Sequence, residues 1–194
     1  MDDDTWNKKI VIGGKKVPKW KIRDYYKRLW SRDPAFRAHL RKKGLFIRAD
    51  YKGKPTIVRK GIRVKDWDDV EELIKDHAIE FHLPSKQYDY PSYVDVDMPP
   101  RFAKTRKQLG KSLVNRLKKK GVKVSLVTDS PSGVHIFSKT RKAKLKPALK
   151  EIAKEDKRFV VGKSSKTKIV LDCNEPNGAV PGSLSYRGKP YRTW

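Results

Sequence analysis

The chain has 194 residues and a formal net charge of +26, an excess that indicates a polyanionic partner, nucleic acid before an anionic membrane. A single cysteine, Cys173, excludes a disulfide framework and a cysteine-based zinc site within the chain. No apolar run approaches the ~20 residues that span a bilayer, and residues 1–9 lack the apolar core of a signal peptide. We therefore expect a cytoplasmic, nucleoid-associated protein without a membrane partner, with a merely soluble basic protein as the alternative. The many Lys, Arg and Glu residues are also typical of thermophilic proteins.

The N-terminal half predicts a basic arm over residues 1–16, followed by an αβ module over residues 17–89. Apolar residues at helical spacing predict a helix around Tyr26, with Pro34 breaking or restarting it. Asp66 is expected to cap a further helix, with His77 on its apolar stripe. The predicted elements after Pro34 are a helical piece over 35–44, strands over 45–50 and 55–61, a helix over 67–78 and a strand over 78–83.

The C-terminal half predicts a second module over residues 90–194. Its elements are a strand over 91–98, a basic helix over 104–121, strands over 122–129 and 134–138, a helix over 142–156, and strands over 158–162 and 167–172. Pro147 is a weak point of the second helix unless it lies in the first turn. The order β-α-β-β-α-β is that of a ferredoxin-like module, the arrangement also used by RNA-recognition modules, so we expect an α+β fold.

Two acidic residues, Asp95 and Asp97, flank Val96 in the first of these strands. Side chains alternate along a strand, so both carboxylates lie on one face. Their repulsion makes sense if a cation lies between them, and Mg²⁺ or Mn²⁺ is the natural occupant because hard cations prefer oxygen ligands. Taken alone, such a pair more often faces solvent at the end of a strand.

The predicted topology brings further residues to the acid pair. A ferredoxin-like sheet places its first strand between the third and the fourth, so Asp95 and Asp97 are expected to converge with His135 and Asp172. The alternatives are an ordinary core or surface histidine at His135 and a helix or turn cap at Asp172.

Two segments rich in small polar residues are candidates for holding phosphate. Ser130, Ser132 and Gly133 form a tight turn before His135, with hydroxyl and backbone N–H groups that suit phosphate oxygens. The second segment supplies Ser183, Ser185, Arg187 and Lys189 for a triphosphate, with an ordinary basic turn as the alternative.

Nucleic-acid contacts are expected from lysines and arginines of the 103–120 region and of the N-terminal half, without reading of sequence. Aromatic side chains add candidates for stacking on bases, although core packing is favoured for the tryptophans. These candidates are Trp20, Tyr25, Trp30 and Tyr51.

Three motifs in this order resemble the archaeo-eukaryotic primase superfamily. They are the strand YVDVDMPP, the segment SPSGVHIF and the strand KIVLD. The tail VPGSLSYRGK is similar to a segment of primase small subunits. The stretches RDYYKRLW, AFRAHLRKKGLFIR and AIEFHLPSKQYDYPSYVDVD resemble the polymerase domain of bacterial end-joining ligases. The resemblance therefore runs from about residue 20 to residue 194.

The resemblance implies an N-terminal αβ module packed against an RRM-like module, with the active-site cleft between them. It implies two divalent metals held by Asp95, Asp97 and Asp172. It also implies nucleotide phosphates contacted by Ser132, His135 and Arg187. Ser185 stands where primases often have His, and zinc-binding cysteines are missing. An accessory subunit or a helicase is expected as a further partner.

The expected function is that of a DNA primase or polymerase. A primer or initiating nucleotide would attack the α-phosphate of a nucleoside triphosphate on a DNA template, with RNA as an alternative template. The rival hypotheses are a nucleic-acid-binding module of the same fold without catalysis, and a two-metal nuclease or phosphoesterase.

Overall fold

The structure, a computed structural model, describes residues 3–51, 54–76, 80–84, 87, 89–162, 165–174, 178–185 and 187–194. The chain divides into two units, Met1–Gln87 with Gly178–Tyr191, and Tyr88–Asn177 with Arg192–Trp194. Both units combine helices with β-sheets, which confirms the predicted α+β class. Within the described ranges, no helix is both long enough and apolar enough to cross a membrane.

The helices and strands are numbered along the chain. They are α1 (Asp3–Asn7), β1 (Lys9–Ile12), β2 (Lys15–Pro18), α2 (Lys19–Arg32), α3 (Pro34–Leu40), β3 (Leu45–Tyr51), β4 (Lys54–Ile62), α4 (Trp67–Lys75), β5 (Glu80–Leu83), β6 (Ser92–Asp97), α5 (Arg106–Lys119), β7 (Val124–Asp129), β8 (Gly133–Ser138), α6 (Lys142–Glu155), β9 (Phe159–Val161), β10 (Ile169–Asn174) and β11 (Gly178–Ala179). A 3₁₀ helix, Pro100–Thr105, precedes α5.

The N-terminal residues, predicted as a basic arm, form a helix and a β-hairpin instead. β1 and β2 pair antiparallel. Gly13 and Gly14 connect them with φ of 58° and 78°, the positive values that a two-residue hairpin turn requires. The side chains of Trp6, Ile10 and Ile12 are buried, so this segment contributes to the core of the first unit.

A four-stranded sheet in the order β11-β5-β3-β4 organises the first unit. Helices α2 and α3 pack on β5 through three buried rings, with Tyr26 and Phe36 stacked and both edge-on to Phe81. The Asp33 side chain accepts from the N–H of Phe36 at 3.0 Å and caps α3. Pro34 opens α3, so it restarts the helix, one of the two outcomes that the sequence predicted.

Helix α4 is capped as predicted. The Asp66 side chain accepts a hydrogen bond from the N–H of Asp69 at 3.2 Å. The helix ends at Lys75, and the predicted stripe residue His77 lies outside the described residues.

Residues 178–191 belong to the first unit and not to the second module, in which the sequence pattern predicts them. β11 adds to the sheet beside β5, and the N–H of Val180 donates to the carbonyl of Phe81 at 2.7 Å. This pairing joins segments that are far apart in the chain, so no local pattern indicates it.

A five-stranded sheet in the order β7-β8-β6-β10-β9 organises the second unit. β6 therefore lies between β8 and β10. Alternate side chains such as Val94, Val96 and Ile136 are fully buried in the core that α5 and α6 complete. The side chains that alternate with them, including Asp95 and Asp97, lie on the other face of the sheet.

Helix α6 continues through Pro147, the predicted weak point of this element. Proline lacks the N–H that would bond to the carbonyl of Ala143. Ala143 is exposed, so water can satisfy that carbonyl. Leu145, Leu149 and Ile152 are fully buried on the inner face, and this burial stabilises the helix despite the lost bond.

Candidate functional site

The predicted acidic residues lie side by side on the face of the second sheet that is not packed on α5 and α6. In the register of the sheet, Asp95 stands directly opposite His135 on β8 and Asp172 on β10. Cβ atoms of residues opposite each other on antiparallel strands are ~4.5–5.5 Å apart. Asp97 follows on the same face of β6, opposite Gly133. The backbone thus brings Asp95, Asp97, Asp172 and His135 into one patch, which we call the acidic face.

Each carboxylate of the acidic face contacts a different protein group. Asp95 Oδ1 lies 3.4 Å from His135 Nε2. The Ser132 hydroxyl donates to Asp97, and the Asn174 amide donates to Asp172 at 2.9 Å. Across the described residues, no three acidic, histidine or cysteine side chains are arranged to hold a metal ion. The shared metal site that the sequence suggested therefore stays a prediction.

Among the residues that the structure describes, no lysine or arginine forms an ion pair with the carboxylates of the acidic face. Among the ion pairs of the described residues, the only one that involves these three acids joins Asp95 to His135. Asp95 and Asp172 are like charges directly across a strand pair, an arrangement that destabilises a sheet. Oxygen donors and uncompensated negative charge suit a hard divalent cation, so these residues fit Mg²⁺ or Mn²⁺ in their chemistry.

Tyr93, which is not among the site residues predicted from the sequence, lies next to the acids. Burial raises the pKa of its phenol well above the usual range, and the charges of Asp95, Asp172 and Asp97 raise the pKa further. The Tyr93 ring stacks on Phe137 at 5.7 Å and meets the His135 ring edge-on at 5.6 Å. Tyr93 thus packs against the histidine ring, and alternation along β6 already places it on the face of the acids.

The predicted phosphate-binding turn contains one buried and one half-exposed serine. Ser130 is buried, and its hydroxyl accepts a hydrogen bond from the N–H of Gly133 at 3.0 Å. The carbonyl of Ser132 accepts from the N–H of Met98 at 2.9 Å, which fixes this turn to the end of β6. The Ser132 hydroxyl lies at Asp97. In this conformation Ser130 supports the turn, while Ser132 is the serine that a ligand at the acids can reach.

Two predicted phosphate-binding residues, Ser183 and Arg187, lie in the first unit. Ser183 is fully buried, and its hydroxyl accepts from the N–H of Phe81 at 2.8 Å and lies 3.2 Å from the Tyr26 hydroxyl. The environment of Ser183 therefore supports a structural role rather than contact with nucleotide. Arg187 is exposed, and its backbone packs closely against Gly13.

Ser183→Ala is expected to lower the free energy of unfolding by about 1–3 kcal/mol, because it leaves the buried N–H of Phe81 without its acceptor. Urea denaturation of both proteins measures this difference. The matched control is Ser31→Ala, which removes an exposed hydroxyl that donates to Lys27 at 2.9 Å and should change stability little. A Ser183→Ala protein of unchanged stability but weaker nucleotide binding would contradict the structural role.

The four candidates for base stacking have different surroundings. Trp20 is 39% exposed, with Lys21 Nζ 5.4 Å from the centre of its ring. Trp30 is partly buried and packs against Trp67, with the ring centres 6.4 Å apart. Tyr25 donates its hydroxyl to the carbonyl of Gly182 at 2.6 Å. The side chain of the fourth candidate, Tyr51, lies outside what the structure describes.

No protein-family model matches the chain, and no curated protein matches it. Among solved structures, it is similar to the polymerase domain from Mycobacterium tuberculosis Ligase D in complex with DNA, with a TM-score of 0.70 and 10% sequence identity. The similarity covers 97% of this chain and 85% of that chain. At this identity the likeness concerns the fold, so the chain has a fold similar to that of a polymerase domain.

Proposed function

We propose that the chain is a metal-dependent nucleotidyl transferase that joins nucleoside triphosphates to a primer or an initiating nucleotide on a DNA template. The observation that carries this proposal is the acidic face, whose charge no lysine or arginine neutralises in the described ion pairs although the chain has a net charge of +26. Like charges on neighbouring strands lower stability, so a function that needs them explains their presence. The polymerase-like fold supports the same reading.

Asp95, Asp97 and Asp172 would hold Mg²⁺ or Mn²⁺ through carboxylate oxygens. Divalent ions at such a site supply charge stabilisation for the attacking and leaving oxygens of an in-line phosphoryl displacement. The carboxylates must first turn away from their present partners, the side chains of His135, Ser132 and Asn174. Each hydrogen bond to a carboxylate that is exchanged in this way contributes about 1.5–3 kcal/mol to stability, and coordination of the metal has to offset that loss.

His135 and Ser132 are the residues proposed to contact the triphosphate. The imidazole of His135 lies between Asp95 and the Tyr93 ring, so its orientation is restrained on two sides. The Ser132 hydroxyl is freed as a donor when Asp97 turns to a metal. Both groups can then donate to phosphate oxygens beside the acids. Arg187 is a further candidate for contact with the triphosphate.

Exposed basic residues are proposed to bind the template without reading its sequence. Helix α5 exposes Lys107, Lys111, Lys118 and Lys119 to solvent. Such residues neutralise backbone phosphates, and the resulting affinity falls steeply as the salt concentration rises.

The purified protein is expected to extend a labelled primer on a template with Mn²⁺ and nucleoside triphosphates, and to stop when EDTA is added. The products are separated on a gel. Reactions with ribonucleotides and with deoxyribonucleotides show which sugar the protein prefers, and reactions with and without a primer distinguish extension from priming. A parallel reaction contains metal but no nucleotides. DNA shortened in that reaction, without extension in the first, would contradict the proposal and indicate a nuclease.

One observation favours the rival, a nucleic-acid-binding module without catalysis. All three carboxylates are engaged by protein groups in the present conformation, and their arrangement would not hold a metal ion. Calorimetry with Mn²⁺ and a nucleoside triphosphate separates the two functions. Metal-dependent nucleotide binding supports the transferase, whereas DNA binding without it supports the rival.

A further inference from the structure

A cavity of about 590 Å³ lies in the second unit, where the β7–β8 pair meets the beginning of α6. Its lining residues come from the segment before β7, the loop after β8 and the first turn of α6. They are Gly121, Lys123, Lys139, Thr140, Arg141, Ala143 and Lys144. We call this cavity the basic cavity, because four of the seven residues carry a positive charge.

We propose that the basic cavity binds backbone phosphates of a nucleic-acid strand, at a point separate from the acidic face. The inference rests on the nucleic-acid partner of the proposed function, but it does not depend on catalysis.

The positive charges of the basic cavity have no acidic partners in the described part of the chain. Lys123, Lys139, Arg141 and Lys144 are all exposed, and none of them takes part in an ion pair there. Neighbouring Lys120 behaves differently, since its ammonium group lies 2.9 Å from Glu151 and 2.7 Å from Glu155. Four like charges around one cavity repel one another, so an anionic ligand relieves a repulsion that the protein leaves in place.

The loop that carries two of these charges is held in place by buried hydroxyl groups. The fully buried Ser92 donates to the carbonyl of Thr140 at 2.5 Å. The fully buried Ser138 accepts from the N–H of Thr140 at 2.9 Å and donates to the carbonyl of Lys123 at 3.0 Å. The Thr140 hydroxyl in turn accepts from the N–H of Lys123 at 2.8 Å. The backbone of the cavity is thus ordered before any ligand arrives, which lowers the entropic cost of binding.

The beginning of α6 adds to the positive potential of the cavity. The helix has 14 residues, and no side chain caps its N-terminus at Arg141. The helix dipole therefore adds partial positive charge next to Ala143, which lines the cavity.

The chemistry of the lining favours backbone phosphates over a free nucleotide. The lining contains no aromatic ring for base stacking and no carboxylate or amide side chain for reading base edges. Several exposed cations suit a ligand with several phosphates in a row.

The position of the cavity favours a strand that continues beyond the acidic face. In the pairing of β6 with β8, Ser92 opposite Ser138 marks one end and Asp97 opposite Gly133 marks the other. Asp95, the acid nearest to the Ser92 end, is three residues from Ser92, which is about 10 Å along the strand at a rise of ~3.3 Å per residue. A strand of several nucleotides can therefore contact both the acidic face and the basic cavity.

The test compares a double variant of the cavity, Lys139→Ala with Arg141→Ala, with a double variant elsewhere in the second unit, Lys150→Ala with Lys157→Ala. All four residues are exposed cations, so both variants remove the same charge and should fold normally, which thermal unfolding verifies. Fluorescence anisotropy with a labelled single-stranded DNA of about 20 nucleotides, in EDTA and over a range of salt concentrations, measures affinity independently of metal and of catalysis.

The cavity variant is expected to weaken binding ~10-fold at 0.1 M salt and to reduce the slope of log K against log salt by ~1.4, the value for two lost phosphate contacts on a single strand. The control variant is expected to change the affinity and the salt slope much less. The unmodified protein and the two variants should bind a dinucleotide equally. Equal losses in the two variants, or no loss in the cavity variant, would overturn the inference. A protein that fails to extend primers but shows the expected salt slopes would contradict the proposed function and leave this inference standing.

Discussion

Asp95→Asn is expected to lower the rate of primer extension at least ~100-fold, since it removes a carboxylate from the proposed metal site, whose charge stabilisation is worth several kcal/mol. The same change is expected to leave the fold intact and to raise the free energy of unfolding by about 0.2–1 kcal/mol, because it removes the like-charge pair with Asp172. Activity and stability therefore move in opposite directions. Single-turnover extension assays and urea denaturation measure the two effects.

The matched control is Glu151→Gln, which neutralises an exposed carboxylate of the same unit that pairs with Lys120. This variant should keep its extension rate, because Glu151 is not part of the acidic face. It should also keep its stability, because surface ion pairs contribute little to the free energy of unfolding. Full activity in Asp95→Asn would contradict the proposed function. A marked loss of stability in Asp95→Asn would show that the acidic face serves the fold.

The extension rate and the free energy of unfolding are expected to change in opposite directions because of the residues that form the acidic face. A sheet selected only for stability would place neutral or oppositely charged residues at the cross-strand positions of Asp95 and Asp172. In these positions the second unit has two acids, and the described structure has no basic ion-pair partner for them except His135. Strained or repulsive arrangements of this kind are typical of functional sites, where stability is lower than it could be.

The arrangement of the strands that form the acidic face could be predicted, because it follows from alternation along each strand and from the order of the elements. Alternation places Asp95 and Asp97 on one face, and the order of helices and strands places β6 between β8 and β10. The turn of each carboxylate onto Ser132, His135 or Asn174 could not be predicted, since side-chain torsions depend on neighbours in space.

The helix and the hairpin of residues 3–18 could not be predicted, because the apolar pattern of this segment is weak. Its strands are only four residues long, and the buried Trp6 precedes them in a segment that is otherwise polar. Gly13 and Gly14 are the one local sign of a two-residue hairpin turn. The role of Ser183 was missed for a different reason, since its partners Tyr26 and Phe81 are far from it in the chain.

Gly133→Ala is expected to lower the free energy of unfolding by at least ~3 kcal/mol, the upper range for overpacking, and to abolish extension with it. A Cβ atom on Gly133 would lie 1.6 Å from the carbonyl oxygen and 2.8 Å from the carbonyl carbon of Val96. Both atoms are backbone, so relief requires β6 and β8 to separate where Asp97 and Ser132 meet. Urea denaturation with circular dichroism measures the loss. The control Gly121→Ala has no atom within 4 Å of the new Cβ and a φ of 77°, so it should lose only ~1 kcal/mol from backbone strain. If both variants lost the same small amount, close approach of the strands at Gly133 would not be what requires glycine there.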